Sequence, residues 1–318
     1  MRTSKSALTV ARMALEAASA AVPLYARRNS PKLYTQPQLL VCLVIKEFLR
    51  LDYRGVETLL NEWSDLREVL GLKRVPRFTT LQTASRRLLC KPSADACLQQ
   101  VLAQCRKAKL LKRRTARAAI DSTGMETRHV SAYYTKRCGR HKGHLKHRYP
   151  EVTVICDTRN HLILGAVTDR GPKPDACEFE KTLIETLKQQ WFTTLIGDAG
   201  YESEAFHSVC RDDLGIRSIF PTTSRGRPRK DGKPRQTTGH YRRQMKRRFP
   251  KKTYSQRWQV ETVSSMLKRN QGPALRSRSY HAQCREVRLR ILTHNLAVLL
   301  LPKRSFGQSR TLIGLCLP

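Results

Sequence analysis

Tyr254-Ser-Gln-Arg257-Trp-Gln-Val-Glu261-Thr-Val-Ser-Ser-Met-Leu-Lys268 is the stretch from which the rest of the chain is read. Positions 254, 257, 261, 265 and 268 follow in steps of three and four, the spacing that keeps side chains on one side of a helix. Val260, Val263 and Leu267 recur on another side. The segment therefore predicts a helix that buries an apolar stripe while presenting one carboxylate among a Tyr, an Arg and a Lys. An i, i+4 ion pair between Arg257 and Glu261, worth roughly a few tenths of a kcal/mol, would by itself explain two of these residues. A lone Glu among phosphate-seeking groups suggests instead metal and nucleic-acid chemistry.

Two upstream segments favour the second reading. Ala118-Ala119-Ile120-Asp121-Ser122-Thr123 and Thr194-Leu195-Ile196-Gly197-Asp198-Ala199-Gly200-Tyr201 each set an Asp just after a short apolar run. Each run reads as a buried strand, and the small residues after it as the exit turn. Ligands collect at the carboxyl ends of such strands, which predicts that Asp121 and Asp198 lie side by side. Two Asp and one Glu suit Mg²⁺ or Mn²⁺, hard ions that prefer oxygen ligands. A pair of such ions about 3.5–4 Å apart clamps the attacking and leaving oxygens of an in-line phosphoryl transfer.

The pattern Tyr254-x2-Arg257-x3-Glu261-x6-Lys268, with Ile120-Asp121-Ser122-Thr123 and Asp198-Ala199-Gly200-Tyr201 upstream, resembles the DDE transposases of bacterial and archaeal insertion sequences. The match falls in the subgroup defined by this Tyr-Arg-Glu-Lys spacing. It covers roughly residues 115 to 300 and departs from the family pattern at no quoted position. The resemblance implies a ribonuclease-H-like core with Asp121, Asp198 and Glu261 as the catalytic, metal-binding triad, holding two Mg²⁺ (or Mn²⁺) ions. It implies that Tyr254, Arg257 and Lys268 handle DNA near the cleaved phosphate. The expected activity is transposition: binding the terminal inverted repeats in double-stranded DNA, cleaving there, and joining the freed 3′ ends to target DNA as a homodimer. Two alternatives stay open. One is a metal-dependent nuclease of the same fold that cleaves without joining. The other is a non-catalytic DNA-binding protein, which leaves the three carboxylates unexplained.

Composition points to the same partner. Against 61 Lys plus Arg stand 25 Asp plus Glu, a net charge of +36 that would repel a compact fold unless a polyanion were the usual partner. Counterion release makes DNA the obvious candidate. The longest purely apolar run near the C-terminus, Leu296 to Leu301, is too short to span a bilayer. A cytoplasmic, nucleoid-associated protein with no membrane partner is expected. Met1 to Arg28 has the basic start and Ala-rich stretch of a targeting segment, but Arg12 and Glu16 interrupt it, and an amphipathic helix ending before Pro23 is predicted. Ten Cys without a Cys-x-x-Cys pair read as reduced thiols. Cys138, His141, His144 and His147 are four conceivable zinc ligands, but steps of three do not match the paired spacing of structural zinc sites. The segment reads as a solvated basic loop.

Residues 1–30 are expected as an N-terminal extension and 31–110 as an all-helical DNA-binding domain. Residues 111–302 are expected as the catalytic domain, with a basic insertion at 224–252, and 303–318 as a tail. Helices are predicted at 36–50, after Thr35 and Pro37, and at about 53–63, 79–90 and 94–108. Arg74 to Leu81, leading into Arg86-Arg87, resembles a turn feeding a DNA-reading helix and reads equally well as part of a plain bundle with a basic face. Further on, strands at 152–156 and 161–168 form a hairpin around Asp157 to Asn160. Asp175-x2-Glu178 reads as a capping box opening a helix to about Gln190. Then come a helix at 202–213, a strand at 217–221 and a closing helix at 281–301 containing the packing pair His294-Asn295. The order β-β-β-α-β-α-β-α predicts an α/β fold, a mixed sheet flanked by helices. Ser224 to Lys252 holds 13 Lys plus Arg against Asp231 alone, a net +12, and is expected to order only on DNA. Within it Arg225-Gly226-Arg227-Pro228-Arg229-Lys230 is similar to an AT-hook, with a generic basic linker as the equal alternative; Arg225, Arg227 and Arg229 are candidate DNA contacts.

Overall fold

Ala7, Ala11, Ala14 and Ala18 recur in steps of three and four. In the computed structural model, which describes residues 5–29, 31–127, 149–223 and 237–300, they lie on the buried face of helix α1 (Ala7–Ala21). Side chains this small let α1 lie close against α2 (Gln36–Phe48) and α6 (Lys91–Lys107). Thr35 starts α2 with a capping box: its hydroxyl accepts the Gln38 N–H, and the Gln38 side chain accepts the Thr35 N–H at 2.8 Å. α3 (Tyr53–Glu62), α4 (Ser64–Leu70) and α5 (Phe78–Leu88) complete this helical layer. Only α4 is not among the predicted helices, because its seven residues carry too short a periodic pattern; Gly71, at φ 60, ends it. Glu57 of α3 accepts the Phe78 N–H at 2.7 Å, and Arg54 lies over the Phe78 ring. The start of α5 is thus tied to α3 through Phe78, while Arg77 and Thr79 on either side of it are exposed.

After the short β1 (Arg114–Thr115), the chain builds a five-stranded mixed sheet around β2 (Ala118–Gly124). A short β3 (Glu126–Thr127) follows β2. β2 pairs antiparallel with β4 (Tyr149–Asp157), which pairs antiparallel with β5 (Ile163–Gly171). The other edge of β2 is parallel to β7 (Thr194–Ile196), and β7 to β8 (Arg217–Ile219); the short β6 (Trp191–Phe192) pairs with β1 outside this sheet. Three antiparallel strands continued by two parallel ones form the mixed, ribonuclease-H-like sheet that the strand order predicts. Ala118, Ala119, Ile120, Val154, Ile155, Leu195, Ile196 and Ile219 are all buried, as both faces of a covered sheet require. The covering helices are α7 (Phe179–Leu187), α8 (Glu204–Ser208), α9 (His240–Arg247), α10 (Lys251–Tyr254), α11 (Trp258–Gln271) and α12 (Tyr280–Leu299). A last short strand, β9 (Ala274–Leu275), pairs with β3. Near the end of α12, Asn295 accepts the Ile163 N–H at 2.9 Å and donates to the Ile163 carbonyl at 2.8 Å, so the His294-Asn295 pair packs as expected. Among the described residues no helix is long and apolar enough to cross a membrane.

Three segments depart from expectation. The helix predicted from Asp175 begins as a 3₁₀ turn (Asp175–Glu178), and neither that turn nor α7 has a side-chain cap. The helix predicted over 202–213 divides into α8 and a π turn (Val209–Asp213), which bring His207 and Arg211 together onto the Ser218 hydroxyl. The second half of the basic insertion, from residue 237, contains two helices and packs against the sheet unit. Glu204 accepts the Tyr241 and Arg242 N–H groups at 2.9 and 3.0 Å, Arg242 pairs with Glu202, and Met245 is buried. The segment borrows carboxylates from 40 residues away, which its own composition cannot show. Arg225, Arg227 and Arg229, like the Cys138, His141, His144 and His147 cluster, lie outside the described residues.

Arg290, only 1 % exposed, joins the helical layer to the sheet unit. Its guanidinium lies 3.2 Å from Glu47 of α2 and 3.0 Å from Glu286, and it donates to the Gly272 and Ala274 carbonyls at 2.7 and 2.9 Å. Removing one member of such a group leaves buried charge uncompensated. Arg290→Met is expected to lower the unfolding free energy by about 3–5 kcal/mol in urea denaturation. An unchanged midpoint would show that the two carboxylates find other partners.

Candidate active site

Ala119 of β2 lies opposite Ile196 of β7 in their parallel pairing. Two residues further along each chain come Asp121, still in β2, and Asp198, just past the end of β7, close enough that the Asp198 charge acts on Asp121. Asp198 opens a 3₁₀ turn (Ala199–Tyr201), and its Oδ1 accepts the Gly200 N–H at 2.7 Å. Glycine leaves room for both acids at 200: a Cβ there would stand 2.8 Å from Asp198 Oδ1 and 3.0 Å from Asp175 Oδ2, so both carboxylates would have to shift. Asp175 is thus a third carboxylate at this centre, and its predicted role in a capping box is overturned. The capping pattern and the observed position share the same Asp-x-x-Glu spacing, so no local signal separates them. Ser122 is the polar hinge of the cluster, meeting the Thr153 and Tyr201 hydroxyls at 2.9 Å each.

Burial, then the charge of Asp198, pushes the Asp121 carboxyl up to about 6, against the opposing pull of the Ser122 N–H and the Arg257 guanidinium. Burial and Asp198 likewise raise Asp175, and the Ser122 hydroxyl opposes them. Crowded, partly desolvated carboxylates with one arginine facing them offer the oxygen ligands that hard divalent cations prefer, although among the described residues no three such side chains are close enough together to hold one.

The stretch from Tyr254 to Lys268 is not one continuous helix. α10 ends at Tyr254, a 3₁₀ turn covers Ser255–Arg257, and α11 begins at Trp258. Val260, Val263 and Leu267 are buried as the spacing predicts, and α11 packs along β2. Lys268 Nζ donates to Thr123 Oγ1 at 2.9 Å, two residues beyond Asp121. Tyr254 is raised first by burial, with Arg257 opposing and the Asp198 charge adding, which places its hydroxyl in the same electrostatic neighbourhood. Glu261 is the member the structure leaves apart. Its side chain is 52 % exposed and holds Arg257 across one helical turn, and among the described residues no three His, Cys, Asp or Glu side chains converge on one point. Such an exposed pair contributes roughly a few tenths of a kcal/mol, so turning Glu261 elsewhere costs little.

A carboxyl titrating near 6 in the folded state and near 3.8 in the unfolded one opposes folding wherever it is ionised in both. That cost, on the order of 3 kcal/mol, is complete above about pH 6, shrinks as the pH falls toward 4, and is absent below. Asp121→Asn is therefore expected to unfold at a higher temperature than the native chain at neutral pH in EDTA, with the difference closing near pH 4. Thermal unfolding across that range reads it directly, and a variant no more stable at neutral pH would refute the strained carboxyl.

The family described as Transposase DDE domain matches residues 113–296, from the strand before β2 into α12. That span holds Asp121, Asp175, Asp198 and the whole of the Tyr254–Lys268 stretch. The comparison with curated proteins returns no match. With more than half its length in that match and a mixed sheet to carry it, the chain belongs to the transposase DDE domain family.

Proposed function

We propose that the chain binds the terminal inverted repeats of an insertion sequence, cleaves the DNA at their ends and transfers the freed 3′ ends to target DNA. Family membership supports phosphoryl transfer on DNA assisted by divalent metal ions in general. The observation that carries the finer reading is the pair of carboxylates, Asp121 and Asp198, side by side at the strand ends and facing Arg257. Asp121, Asp198 and Glu261 would hold two Mg²⁺ or Mn²⁺ ions, with Asp175 beside them; bound there, such ions neutralise charge on the transferring phosphoryl group and its leaving oxygen.

In the first step a water oxygen bonds to phosphorus as the bond to the 3′ oxygen breaks, and that oxygen leaves as a 3′-hydroxyl. In the second step the hydroxyl oxygen bonds to a target phosphorus in line with the departing bridging oxygen. Arg257 would grip non-bridging oxygens as a planar fork and Lys268, steadied by Thr123, would act as a point charge. Tyr254 stacks on a base or bonds a phosphate. A phosphate that takes Arg257 also releases Glu261 from its present partner, so DNA binding and completion of the triad are one exchange of ion pairs. Arg225, Arg227 and Arg229 belong to this reading as minor-groove contacts, a homodimer pairs the two ends, and the cytoplasmic nucleoid is the setting.

A labelled duplex carrying the DNA that flanks this gene tests the proposal. Cleavage at the repeat boundary is expected with Mg²⁺ and not with EDTA. Asp198→Ala and Glu261→Ala should each lower it on the order of 100-fold or more, the loss of several kcal/mol of charge stabilisation, while DNA binding persists. Joined strand-transfer products distinguish a transposase from a nuclease. Native protein that binds these ends and never cuts them would overturn the catalytic reading.

A further inference from the structure

Away from the carboxylates, a cleft of about 540 Å³ opens between the helical layer and the start of α12. Arg86 lines it from α5, Arg278 from the loop between β9 and α12, and Arg285 from the second turn of α12. Among the described residues no carboxylate lies within 4 Å of these three guanidiniums, although lysines elsewhere on the surface, such as Lys91, Lys173 and Lys188, are paired. The two acids in the cleft wall are already engaged. Glu286 accepts the Arg276 and Ser277 N–H groups at 3.0 and 2.9 Å and holds Arg290, and Asp52 accepts the Gly55 N–H at 2.6 Å. Glu286 thereby fixes the loop that presents Arg278 while lending the cleft no free negative charge.

We propose that this cleft docks the phosphate backbone of duplex DNA outside the catalytic centre, an inference that rests on DNA being the chain's partner. Backbone phosphates are met by arginines, hydroxyls and helix N-termini, which position a duplex without reading its sequence. The cleft supplies all three. Ser277 and Ser279 line it beside the arginines, and the 20-residue α12 starts there with no side-chain cap on its first turn and no acid within it. A membrane surface fits less well, because the cationic groups converge inside a concavity rather than on a flat or apolar face.

The test is equilibrium binding of labelled duplex DNA by the full chain in EDTA over a series of salt concentrations. It compares the native protein with a triple variant carrying Arg86→Gln, Arg278→Gln and Arg285→Gln. The triple variant is expected to bind about tenfold or more weakly, with a salt slope smaller by roughly two to three, the loss of that many phosphate contacts. If native protein fails to bind duplex at low salt, the DNA reading itself falls and the cleft proposal with it. If native protein binds and the triple variant matches it in affinity and slope, the cleft alone is refuted. Should the triple variant fail to fold by circular dichroism, phenylglyoxal modification of the native protein decides. Protection of Arg278 and Arg285 by bound duplex supports the proposal, and equal modification with and without DNA overturns it.

Discussion

The parallel pairing of β2 with β7 is the constraint on which the rest of the structure depends. Opposing Ala119 to Ile196 sets Asp121 and Asp198 two residues further along each chain, within reach of one another's charge. Two carboxylates so placed repel one another, and burial makes the repulsion dearer. The 3₁₀ turn after Asp198, the glycine at 200 and the hydroxyls around Ser122 keep them close in spite of that repulsion. Stability built into the surrounding sheet maintains a centre whose buried, mutually repelling carboxylates are locally unfavourable, as is common at functional sites.

The break between α10 and α11 belongs to the same design. An unbroken helix would carry Tyr254, Arg257 and Glu261 along one straight row. The intervening 3₁₀ turn leaves Arg257 and Tyr254 within electrostatic reach of the aspartates, while Glu261 sits on the first turn of α11, close to solvent and, among the described residues, paired with Arg257. That exposed pair contributes little, so the fold loses little if it opens.

Scarce acidic residues shape the remainder. Glu47 and Glu286 enclose Arg290 and lock the helical layer to the sheet unit, and Glu202 and Glu204 fold the strongly basic segment around α9. With the carboxylates committed to such tasks, positive charge is left bare where the helical layer meets α12.

Much of this was legible in the chain itself. Short apolar runs ending in Asp121 and Asp198 announce buried strands, Thr35-x-x-Gln38 announces a capped helix, and Val260, Val263 and Leu267 announce the buried stripe of α11, because each signal lies within one turn or one strand. Asp175 shows the limit. Its spacing to Glu178 is that of a cap, yet its neighbour in space is Asp198, 23 residues on. The 3₁₀ break after Tyr254 and the folding of the segment around α9 on Glu204 were equally hidden, since both are decided by partners distant in sequence. Sequence alone determined the principal strands, the longer helices and the carboxylates, as these follow from local periodicity and chemistry. Only the tertiary structure decided which charges face one another and which are left unpaired, because electrostatic partnership depends on distance in space, and that distance is set by register and packing.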